Sequence, residues 1–171
     1  MARRHGHDKE YRTALVRAHA VPLLSTMAGS SLTLLPVVSS WPALPPFGFL
    51  MLIAWRLLRP ELWAAWIALP LGLFDELMGG QPVGSAMFLW TATMLTLDFA
   101  DTRLLWRDFW IDWLLAAGAI IACIAGTILL SGLHRQTDAL MIAIPQMLVS
   151  LLCFPITMRI CVRLDRLRLP T

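Results

Sequence analysis

The sequence predicts an all-α, polytopic membrane helical bundle of about six transmembrane helices, and three observations carry that prediction. Of the 171 residues 58% are hydrophobic and only 15% charged, with a mean hydropathy of +0.68. That is more apolar side chain than a water-soluble core of this size can bury. The apolar residues also fall in stretches separated by short polar or Pro/Gly-rich connections. A span takes roughly 20 residues to cross a hydrocarbon layer about 30 Å thick, so six spans consume about 120 and leave no room for a soluble domain. Finally, the basic residues gather at the ends of those stretches, which explains the net charge of +3 without nucleic acid.

One transmembrane domain is expected over residues 17–163, between a basic tail at 1–16 and another at 164–171. The first tail lacks an apolar core. Its His5 and His7 supply too few ligands and no fixed geometry for a metal. The first span is expected from about Arg17 to Ser39, interrupted by Pro22 and Pro36. With no small-residue cleavage pattern after it, it reads as an uncleaved anchor. The WPALPP linker at Trp41 to Pro46 cannot remain helical, because its prolines lack amide donors. A short second span follows from Phe47 to Leu58. A third runs from about Glu61 to Met78 with Pro60 opening it. GGQP at Gly79 to Pro82 turns into a fourth span, Val83 to Leu97, ending in a charged loop at Asp98 to Asp108. The fifth, Phe109 to Leu133, is the most apolar. After HRQTD the sixth runs from about Ala139 to Ile160.

Orientation follows from where Lys and Arg fall. Thirteen of the 14 lie on the side shared by both tails, and only Arg135 lies on the other. The first side is therefore expected to be the cytoplasm, and the number of spans even. Trp41 is expected at the outer interface, and Trp55, Trp63, Trp106, Trp110 and Trp113 near the inner one. The three cysteines, Cys123, Cys153 and Cys161, lie in apolar helices, so no disulfide is expected.

Carboxylates inside a span are costly and mark structure or function, which singles out Asp75 and Glu76. Adjacent positions on a helix point about 100° apart, so the two cannot act as one catalytic or metal-binding pair. The structural expectation is that Glu76 snorkels to the interface while Asp75 bonds a neighbouring helix. Asp112 is expected to pair with a nearby arginine such as Arg107. Gly118, Ala122 and Gly126 form a small-residue stripe suited to close helix packing, within the bundle rather than against a partner. Arg159, Arg163, Arg166 and Arg168 suit anionic lipid headgroups. His134, Arg135, Gln81 and Asp138 complete the polar groups of the outer half. There is no nucleophile arrangement, phosphate loop or Cys-x-x-Cys, so neither an enzyme, a cofactor nor a metal is expected.

From PPFGFLMLIAWRLLRPELW through LGLFDELMGGQPVG the chain resembles the rod shape-determining protein MreD family of bacteria. Gly72, Asp75, Gly79, Pro82 and Gly84 carry the resemblance as G-x-x-D-x-x-x-G-x-x-P-x-G, with Glu76 and Gly80 inside the motif. The closing segment, with Pro145, Pro155 and its basic end, is similar to the family's last helix. The resemblance implies a non-enzymatic inner-membrane component of the machinery that builds lateral peptidoglycan, partnering the bitopic protein MreC. In the family that pair acts with actin-like MreB, the RodA glycosyltransferase and a class B penicillin-binding transpeptidase. The family's fold resembles the substrate-binding subunits of energy-coupling-factor vitamin transporters. The alternative is therefore a small-molecule-binding transporter subunit, although the short external loops leave little to cover a captured ligand.

Overall fold

The structure, a computed structural model, describes residues 19–34, 44–103, 108–130 and 137–168. Among them it is all-helical, with no strand and six α-helices. These are α1 over 19–31, α2 Phe47–Leu58, α3 Ala68–Gly79, α4 Ser85–Arg103, α5 Phe109–Leu130 and α6 Thr137–Arg168. Short 3-10 turns at Leu32–Leu34 and Ala65–Ile67 follow α1 and precede α3. The helix α3 pairs with α4, α2 packs along α6, and α5 lies against both α4 and α6. The N-terminal tail, His134, Arg135, Trp41 and Trp106 lie outside the described residues.

The centre of the bundle is α2, at the bounds its sequence predicts. Twelve residues at 1.5 Å each reach about 18 Å, too short to cross a bilayer unaided. Phe49, Leu50 and the run from Leu52 to Leu57 are buried, so this helix faces protein on nearly every side. The ring of Phe49 tilts against Trp90 of α4, with centroids 5.7 Å apart. Trp55 is wholly buried, and its indole Nε1 donates to Ser25 Oγ of α1 at 2.8 Å. Trp63 is buried too. Both rings thus face protein rather than the surroundings, and for Trp55 the indole N–H finds its partner inside. Trp110 is exposed.

Three boundaries differ from the sequence reading. Pro60 does not open α3; it lies in a turn in which the Leu62 amide donates to the Arg59 carbonyl. The stop comes from Pro70, whose missing N–H and bulky ring forbid an α-turn onto the Trp66 carbonyl. The chain takes a 3-10 turn there, and α3 begins at Ala68, which puts Pro70 in its first turn where no amide partner is needed. Further on, Asp98 and Asp101 are not in a loop, because α4 continues to Arg103. Likewise the basic segment after Ile160 is helical, as α6 runs 32 residues to Arg168 with Pro145 and Pro155 inside it. The tail expected at 164–171 is thus largely the end of a helix.

Trp110–Leu130 in α5 and Ala143–Leu167 in α6 are long and apolar enough to cross a membrane, and only 22% of each apolar stretch is buried in the protein. Leu114, Leu129, Leu148 and Leu152 are among their outward side chains. The core helix of a soluble protein would hide such residues.

Gly72 sets the spacing of α3 and α4. A Cβ at that position would lie 2.8 Å from the Met87 N and Cα, which are backbone atoms unable to swing aside. Gly72→Ala is expected to cost about 1–3 kcal/mol by prising the pair apart. Gly118→Ala, where nothing lies within 4 Å, should not lower the unfolding temperature in detergent and is expected to raise it slightly, since alanine favours the helix interior over glycine.

Candidate functional site

Among the described residues, the buried charged side chains Arg56, Asp75 and Glu76 fall in two nodes, one at each end of α2. The first is built around the turn from Gly79 to Gly84. At the end of α3, Gly80 takes a left-handed φ of 64° and its amide returns to the Glu76 carbonyl, an ending that only glycine adopts without strain. Gly84 is also left-handed, at φ 98°, and immediately precedes α4. Pro82 and Val83 between them are exposed. Pro82 sits in the turn and does not open α4, which starts at Ser85.

Glu76 holds this turn from within. Its side chain is only 1% exposed, and its carboxylate accepts from the Gly84 amide at 2.8 Å and the Met87 amide at 3.0 Å. Met87 is the third residue of α4, so its amide is one of the four with no partner inside the helix. A carboxylate there also meets the positive end of the helix dipole. Glu76 thus does from α3 what a capping side chain does locally. The role expected for Glu76 must be corrected: it does not snorkel outward but caps the neighbouring helix.

Asp75, the next residue, points about 100° away and is also buried. It sits where α1, α2 and α3 meet. A Cβ on Gly48 would collide with Ser30 Oγ of α1 and come within 3.1 Å of Asp75 Oδ1. Gly48 thereby leaves room for the Asp75 carboxylate beside the Ser30 hydroxyl. Gln146 of α6 closes the same end of the bundle by donating from Nε2 to the Leu44 carbonyl at 3.0 Å.

The second node lies at the opposite end of α2. Arg56, 4% exposed, donates from Nη2 to Asp98 Oδ1 at 2.5 Å and to Asp101 Oδ2 at 2.6 Å. Its Nε also reaches Asp98 Oδ1, at 3.2 Å. Asp98 and Asp101 lie three residues apart on α4 and therefore share a face. Arg59 pairs with Asp165 near the end of α6 at 2.9 Å. These ion pairs bring the C-terminal ends of α2, α4 and α6 together. Sequence reading treated Arg56 as one more basic residue at the inner face and missed the cluster. The available signal was an arginine in an otherwise apolar span with two aspartates one turn apart in another, a pattern whose burial demands pairing.

The small-residue stripe is divided. Gly126 packs against the Leu89 side chain of α4. Gly118 and Ala122 instead line an open groove of about 330 Å3 between α4 and α5, with Thr93 and Thr96 on its other wall. Internal packing, the expectation for all three, holds for one. Arg159, Arg163 and Arg166 are exposed along α6, at spacings of four and three residues that share a helix face. The backbone at Arg168 is still helical. Asp112 lines a small cavity beside Arg159, while Arg107 lies outside the described residues. The three cysteines are all free thiols, with Cys161 Sγ 3.5 Å from Met51 Sδ.

Comparison of the chain with protein-family models, curated proteins and solved structures finds no match. The residues must therefore carry the functional reading themselves. Glu76 joins α3 to α4, and Arg56 joins α2 to α4.

Proposed function

We propose that this chain is a non-enzymatic, multi-pass scaffold in the bacterial inner membrane, with both termini in the cytoplasm. On this reading it belongs to the cell-elongation complex that synthesises lateral peptidoglycan and maintains rod shape by holding an MreC-like bitopic protein. RodA-type glycosyltransferase, class B penicillin-binding transpeptidase and actin-like MreB are its more distant partners. The observation that carries the reading is the buried Glu76 clamp. A fully buried carboxylate spends its hydrogen bonds on the backbone of an exposed turn, so the Gly79–Gly84 surface is presented rigidly. A preorganised surface binds without the entropic cost of ordering a loop. The outward apolar faces of α5 and α6 support membrane insertion, and the motif Gly72, Asp75, Gly79, Pro82 and Gly84 supports the choice of partner.

The test is capture of an MreC-like partner by variants whose abundance in the membrane equals the parent's. Gly84→Leu places a branched side chain at a left-handed residue on the exposed turn, and is expected to reduce capture at least about tenfold, equivalent to 1.4 kcal/mol. Undiminished capture would remove the turn from the interface. Rounded cells on depletion would support the scaffold, whereas a growth defect rescued by a nutrient would overturn it in favour of transport.

A further inference from the structure

Glu76 spends its carboxylate oxygens on the Gly84 and Met87 amides, and Arg56 is neutralised by Asp98 and Asp101. Asp75 has neither kind of partner. It is only 7% exposed, yet among the described residues no basic side chain pairs with it and no backbone amide donates to it. Its polar neighbours are the Ser30 hydroxyl of α1, the Glu76 carboxylate on its own helix and the Cys123 thiol of α5. None of them brings positive charge. A carboxylate buried without a counter-charge is costly, and inside a membrane bundle it marks an ion or proton site.

Ser30 supplies the second observation. Its side chain is 1% exposed, and its Oγ makes no hydrogen bond, although it lies close enough to the Asp75 carboxylate to act on it electrostatically. Buried hydroxyls elsewhere, at Thr26, Ser150 and Thr157, each donate to a carbonyl one turn back. Ser30 does not. Its Oγ and Asp75 Oδ1 converge instead on α2 at Gly48, where a Cβ would collide with the first and lie 3.1 Å from the second. A buried oxygen left without a partner in a native fold calls for an ion or a water.

We infer that Asp75 and Ser30 are two ligands of a sodium-ion site at the junction of α1, α2 and α3. One carboxylate balances one positive charge, and among the described residues no group of three His, Cys, Asp or Glu could hold a multivalent metal. A proton on Asp75 would serve the carboxylate alone, whereas a cation between the two oxygens serves both. Further oxygens are at hand in the carbonyls that close α1, which ends at residue 31. The last carbonyls of a helix lack amide partners, and the negative end of its dipole favours a cation. Helix ends inside membrane bundles hold sodium in this way. The close approach at Gly48 favours sodium over the larger potassium, because selection between hard cations follows cavity size and ligand number.

The experiment is thermal unfolding of the full chain in detergent, with sodium, potassium or choline chloride at constant ionic strength. Sodium is expected to raise the parent's midpoint by about 5 °C over choline, and potassium by less than half as much. Asp75→Asn should abolish the sodium shift, and Ser30→Ala should weaken binding of radiolabelled sodium at least about tenfold, the scale of one lost ligand. Asp112→Asn, which removes a carboxylate from the first turn of α5, should keep the shift in full. In choline, Asp75→Asn should be at least as stable as the parent, since it has no charge left to neutralise; a purely structural aspartate would make it less stable in every salt. Equal midpoints of the parent in the three salts, or a sodium shift that survives Asp75→Asn, overturns the site. Stabilisation of the parent by acid without preference among the salts, lost in Asp75→Asn, would assign a proton there and overturn the sodium ion.

Discussion

Replacing Arg56 with methionine is expected to destabilise the bundle by about 3 kcal/mol, the lower end of the cost of breaking a buried ion pair. The lower end applies because Asp98 and Asp101 retain 43% and 23% of their side-chain exposure, so water screens part of what the arginine leaves behind. The loss has two sources. Three guanidinium hydrogen bonds between α2 and α4 disappear, and two like charges one turn apart lose the cation between them. Adding Asp98→Asn and Asp101→Asn to the Arg56→Met background removes that repulsion and should recover much of the stability. The recovery, measured as a mutant cycle on thermal unfolding in detergent, separates the charge effect from lost packing. Arg56→Lys should fall between parent and methionine, since one ammonium cannot reproduce the forked contacts. If the triple variant is no more stable than Arg56→Met, the ion network is not what joins α2 to α4.

Glu76→Ala is expected to rank beside it, at about 3 kcal/mol, from the loss of two hydrogen bonds to a charged acceptor worth about 1.5 kcal/mol each at the least. The alanine also leaves a void and an uncapped α4. Glu76→Gln keeps one side-chain oxygen and therefore one of the two amide contacts, so its loss should be about half as large. Hydrogen exchange at the Gly84 and Met87 amides gives the local readout: both should exchange faster in the alanine variant and unequally in the glutamine one. Unchanged protection at both amides would show that the turn is held by its backbone bonds, Gln81 to Glu76 and Ser85 to Pro82, without the side chain.

Several features of the fold were legible in single residues. Pro46 before the apolar run placed α2 correctly, because a proline cannot continue an earlier helix but can precede a new one. The tandem Gly79 and Gly80 marked the end of α3, where a left-handed residue is required. The importance of Asp75 and Glu76 followed from the cost of carboxylates in an apolar helix. What each one does was not legible, since consecutive residues on a helix differ only in direction, and direction has meaning only once the neighbours are known. The same limit applies to the stripe at Gly118, Ala122 and Gly126: the spacing puts them on one face, but only the position of Leu89 decides that Gly126 is covered and Gly118 is not.

The sequence by itself determined that the chain is helical and strongly apolar, where α2 begins and α3 ends, and which few polar residues are too costly inside to be incidental. Those properties are local, arising from hydropathy, proline sterics and glycine's backbone freedom. Tertiary structure alone decided that α2 is enclosed, that Trp55 turns inward to Ser25, that Arg56 meets Asp98 and Asp101, and that Glu76 caps a helix eleven residues ahead at Met87. Each depends on partners distant in the chain. Hydropathy cannot distinguish an apolar face turned to lipid from one turned to protein, because both are solvents of the same character.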